Sequence, residues 1–93
     1  MSRVKSESSA WHFGDRYYSV VMASDVGDRD GIGLELEDVA PAPGRGLVME
    51  VFRDDDSGMS TLRCFTSDPL PLELVERFLA QAQESLTHIA PSN

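Results

Sequence analysis

The sequence predicts an α+β fold, a four-stranded antiparallel meander sheet with one C-terminal amphipathic helix packed on one face. Three observations predict it. Through residue 66, runs rich in β-branched and aromatic residues alternate with Gly-, Asp- and Pro-rich turns. Pro69 and Pro71 then end that pattern, since each keeps its predecessor out of helical geometry. From Val75 onward apolar residues recur at spacings of three and four, the period of a helix with one buried face.

Taken in order, residues 1–10 (MSRVKSESSA) are small, polar and without period, and read as a disordered tail. Residues 11–93 are then a single α+β domain. Trp11 and Phe13 interrupt the polarity as a docking segment, and Gly14 and Asp15 follow as turn residues. Tyr17 to Ala23 (YYSVVMA) has strand composition. An Asp- and Gly-rich turn leads to a second strand, Ile32 to Val39, which sets Leu34 and Leu36 on one face and Glu35 and Glu37 on a wet one. Pro41 and Pro43 make residues 40–46 a stiff connector, because they lack amide donors. Leu47 to Arg53 forms the third strand, Asp54 to Gly58 a hairpin loop, and Met59 to Thr66 the fourth strand. Pro71 suits the first helical position. Glu73 and Glu76 complement the positive end of the helix dipole. The stripe Val75, Phe78, Leu79, Ala82, Leu86 and Ile89 faces the sheet, and Pro91 stops the helix.

Composition bounds the function. Ninety-three residues make one domain with a modest core. Sixteen acids against eight bases give a formal charge of −8. The arginines are scattered singly, whereas a nucleic-acid or anionic-membrane surface needs them clustered. Neither partner is expected. One cysteine excludes an internal disulfide and a cysteine-based metal cluster. No apolar run approaches the ~20 residues of a membrane span, and no secretory h-region follows Arg3 and Lys5. The cytoplasm, with a bacterial source suggested by Arg over Lys, is the expected setting.

Candidate chemistry is sparse. Asp28, Asp30, Gly31 and Glu37 fall at calcium-loop spacing, but the first ligand position holds Val26 and the flanks read as strands. Asp54, Asp55 and Asp56 are consecutive, so they point apart and repel rather than converge on a cation. They read as an acidic knob for a basic partner. Cys64 alternates with Leu62 and reads as a buried small hydrophobe; neither His12 nor His88 has an evident reason to meet and activate it. Glu35 and Glu37 read as solvating charges. No catalytic, metal or cofactor site is expected, and no cofactor.

The sheet itself is more informative. A lone helix covers one face, yet the alternation leaves large apolar residues on both. Val48, Phe52, Tyr17, Val21, Met59 and Phe65 fall on the second face. Three readings compete there: the Trp11 segment folds back over it, a second copy pairs with it, or another protein docks on it. The expected function is a non-catalytic protein-interaction module, homodimeric through that face, its acidic loops steering a basic partner. The alternative is a small ligand carrier or minor enzyme with a pocket between helix and sheet, lined by Tyr18, Met22 and Phe78. In size, acidity and strand-then-helix layout the chain is similar to small bacterial toxin-immunity proteins and secretion chaperones, a likeness of shape that assigns no residue a role.

Overall fold

A computed structural model describes the backbone of residues 2–26 and 30–88 and the side chains of residues 10–24 and 30–86. It is an α+β meander with a C-terminal helix on the sheet, but the sheet has five strands rather than four. In chain order these are β1 Ser2–Phe13, β2 Arg16–Val26, β3 Gly31–Ala40, β4 Gly46–Asp54 and β5 Ser60–Cys64, followed by α1 Leu72–His88. All pairings are antiparallel, and the spatial order equals the chain order.

The added strand is the segment read as a disordered tail. β1 pairs with β2 from Ser2 opposite Val26 to Phe13 opposite Arg16, with a bulge between Lys5 and Ser8. Its serines carry no alternation because an edge strand takes much of its order from the ladder beside it. The turn explains the pairing. Gly14 takes φ of 64° in a two-residue loop whose other member, Asp15, has negative φ. Glycine at the first central position is what a hairpin turn matched to strand twist requires.

One face of the sheet is built as rows of side chains standing opposite one another. Val20, Leu36, Met49 and Cys64 form one such row, and Met22, Leu34, Val51 and Leu62 the next. α1 packs chiefly on β3 and β4. It inserts Leu74, Phe78, Ala82 and Leu86, each at most 3% exposed. Full burial of such a side chain contributes about 1.5–3 kcal/mol, so this layer holds the helix. The buried stripe starts at Leu74, which the spacing argument omits, and leaves Leu79 36% exposed at its flank. Pro71 lies just outside the helix rather than in it; its carbonyl accepts the amides of Leu74 and Val75 at 3.1 and 3.2 Å. Ile89 and Pro91 lie outside the described residues.

A polar clamp fixes one end of this layer. Asp38, 1% exposed, accepts the Arg16 Nε–H at 2.7 Å, and Arg45 Nε stands 3.2 Å from the same oxygen. Arg45 also reaches Asp68 at 3.5 Å, and Arg16 donates to the Pro41 carbonyl at 2.9 Å. Strand β2, the proline connector and the segment before α1 are thereby tied to one carboxylate. Asp38 also raises the Arg16 pKa, through its hydrogen bond first. Burial, then Asp38, pushes the Tyr18 phenol up.

Candidate interaction surface

Of the residues expected to make one apolar face, Val48 is carried to the opposite side. A bulge between Leu36 and Glu37 makes Val48 the extra residue of β4, so Val48 and Met49 both join the helix-side core. Val48 is fully buried there. A single unpaired residue reverses the alternation on which the second-face assignment of Val48 rests. Phe52 does face away from the helix, but its ring is occupied. It lies over Gly31 and Gly33, where a Cβ on Gly31 would stand 2.5 Å from Phe52 Cζ. Phe52 is 7% exposed and Val21 is 9%.

The helix-free face is mixed in character. One row across it runs Val21, Glu35, Glu50, Arg63, and another runs Ala23, Gly33, Phe52, Thr61. Glu35 and Glu50 are 2% and 4% exposed, so Glu35 is buried and not the solvating charge its alternation suggests. It stands on the central strand, flanked by Val21 and Glu50, and each of the two glutamates has an interaction partner. Tyr17, 48% exposed, stacks on His12 with ring centroids 4.3 Å apart. Trp11 does not fold over this face. It packs on the helix side, 6% exposed, with the Arg77 guanidinium 4.2 Å from its ring centroid and Phe13 alongside.

Exposed apolar residues occur along β5 and α1 as well as at Tyr17 and Val39. Met59 is 64% exposed, Leu62 48% and Phe65 48%, while Leu72 and Leu79 emerge from the adjoining flank of α1 at 69% and 36%. Between β5 and α1 lies an open groove of about 460 Å³, with Val51, Leu62, Leu79, Ala82 and Leu86 as its apolar lining and Arg53, Ser60 and Gln83 among its polar lining. The groove exists because α1 sits over β3 and β4 and leaves the end of each apolar row uncovered. Leu62 is such an end. Cys64 is another; it is a free, exposed thiol and not the buried residue its alternation suggests. His12 belongs to the opposite face and the opposite hairpin, so it cannot activate Cys64. The side chain of His88 lies outside the described residues.

At one end of the groove the β4–β5 loop carries the three aspartates, and they differ. Asp54 is structural: its Oδ2 accepts the Ser57 amide at 2.8 Å, and that bond holds its pKa below the ordinary carboxylate value. The Asp55 amide donates to the Asp30 carbonyl at 2.9 Å, which pins the loop against the start of β3. The Asp55 and Asp56 side chains are exposed. Tyr18 and Phe78, expected to line a pocket, are 2% and 0% exposed within the core. The groove-side pair Leu62 and Leu79 has a partial sequence signal in its apolar residues. Its position depended on where the helix landed. No helix among the described residues is long and apolar enough to cross a membrane. The chain matches no protein-family model, no curated protein and no solved structure.

Proposed function

We propose that this chain is a non-catalytic protein-interaction module whose partner seats on β5 and the adjoining flank of α1. One observation carries the reading. Leu62 and Leu79, 48% and 36% exposed, stand across the open groove between β5 and α1. Exposed apolar side chains lining an open groove are an ordinary mark of a docking site. Asp55 and Asp56 at the end of the groove, on a chain of net charge −8, favour encounter with a basic surface.

This moves the proposed contact from the helix-free face to the sheet edge. A homodimer through the helix-free face has weaker support, since Val48 lies under the helix and Phe52 already covers two glycines. A small-ligand reading is favoured by the groove volume alone, which falls within the ~300–1,000 Å³ of small-molecule sites.

The test compares wild type with Leu62→Asp in affinity capture from host lysate, with the mass of each in solution measured alongside. Leu62 is half exposed on an edge strand, so its replacement should change stability by no more than ~0.5 kcal/mol. The expected outcome is a stoichiometric protein retained by wild type and lost from the folded variant. Equal retention by both removes this surface from consideration.

A further inference from the structure

The interaction-module reading leaves open what kind of chain fits the site, and β5 bears directly on that. Among the described residues it pairs with β4 alone, without a bulge, so one row of its backbone amides and carbonyls faces outward. All five of its residues are exposed. Edges are ordinarily protected by proline, inward-pointing charge, irregularity or a covering element. β5 contains no proline, and its one charge, Arg63, points to the helix-free side opposite Glu50. On the helix side the outermost residue is Leu62, beside the groove.

We infer that β5 accepts an extended segment of another protein as a sixth strand, one with alternate apolar side chains and Lys or Arg at its flanks. Strand geometry supplies the alternation. Side chains of an added strand project to opposite faces by turns. Those on the helix side enter the groove against Leu62, Leu79 and Leu86, and those on the other side stand beside Thr61 and Arg63 in solvent. Backbone pairing supplies affinity, and the groove selects for apolar residues.

Charge selects the flanks and decides against a second copy as occupant. Asp55 and Asp56 stand at the hairpin end of β5. On α1, Glu76 shares the groove-side stripe with Leu72, Leu79 and Gln83, at spacings of three, four and seven. The one cation in the lining, Arg53, has its guanidinium tucked against Gly58 at the loop. A basic flank meets these acids favourably, whereas a second copy brings the same acids and the same −8 to the contact.

The inference rests on the interaction-module reading, and the experiment separates the two. The probe is a labelled peptide, Lys-Lys-Val-Thr-Val-Thr-Val-Lys-Lys, titrated with the full chain by fluorescence anisotropy, with amide shifts followed by NMR. Saturable binding is expected, with shifts centred on residues 59–65, their β4 partners and the groove side of 72–86. It should weaken at least about tenfold on exchanging the flanking lysines for glutamates, on N-methylating the strand-edge amides, or in Leu62→Asp. Leu79→Glu gives the same reading from the helix side without touching β5. No saturation by about 1 mM peptide, equal binding of the Glu-flanked peptide, or shifts centred on Tyr17 and Ser19 would each overturn it. So would a dimer whose β5 amides are protected and which excludes the peptide. If the peptide fails while wild type still captures a protein through Leu62, strand addition falls and the module reading stands.

Discussion

The two flanks of α1 face opposite halves of the same sheet and are finished differently. Toward β1 and β2 the apolar layer is closed: Trp11 and Phe13 fill the space beside the helix, and Arg77 lies over both rings at 4.2 and 5.9 Å. Toward β5 it is open, and Leu62 and Leu79 reach solvent across a groove. One helix is too narrow to cover five strands. The chain completes one side with aromatic rings from its first hairpin and leaves the other unfinished. Side-chain exposure here follows the position of the helix: Leu34 and Val51 are buried under α1, while Leu62, in the same cross-strand row, is 48% exposed.

Substitutions on the closed flank should change stability and leave binding alone. Trp11→Ala removes the largest side chain there and should cost about 3–4 kcal/mol, measured by urea unfolding. A loss below ~1 kcal/mol would mean that Trp11 does not close the layer. Asp38→Ala leaves Arg16 and Arg45 without their shared carboxylate. Because both arginine side chains are partly solvated, at 21% and 32% exposure, the cost should be about 2–3 kcal/mol rather than the full penalty of an isolated buried charge. Arg77→Gln keeps the helix and removes the cation over Trp11, an effect of about 0.5–1 kcal/mol; a double-mutant cycle with Trp11→Ala should return most of it as coupling.

The smallest effect belongs to the open side. Asp54 is held below its ordinary pKa by the Ser57 amide. Its folded-state pKa therefore lies under its unfolded value, and its contribution is fully present above about pH 4. That contribution is lost as the pH falls through the lowered value. Ser57 and Gly58 amide shifts should titrate together below pH 4, and Asp54→Asn should abolish the transition without unfolding the sheet.

Much of the architecture was legible in residues 17–88. β3, β4 and α1 declare themselves by alternation, by the proline connector and by the three-four spacing, and their boundaries lie within one residue of expectation. β1 was hidden because its serines and charges carry no period. The Gly14–Asp15 turn after Trp11, His12 and Phe13 was the available sign of a hairpin, since such a turn needs a strand on each side. Val48 was misplaced because a bulge has no signature in the residues that form it. Spacing alone puts Leu79 and Cys64 in the core, because it specifies a helix face but not which strands that face will cover. The candidate surface was legible only as individual apolar residues; its shape depends on the packing of α1.

The arrangement of Phe52 also governs how this sheet tolerates change. Its ring serves as the missing side chain of two neighbours at once, so three positions behave as one unit. A Cβ on Gly33 would stand 3.4 Å from the ring and 3.2 Å from the Val51 carbonyl oxygen, and could be accommodated if residue 52 became smaller and the neighbouring strand gave slightly. Gly31 has no such freedom, because the Arg53 carbonyl oxygen occupies the place of its Cβ whatever stands at 52. One glycine is thus negotiable through its partner, and the other is fixed by backbone alone.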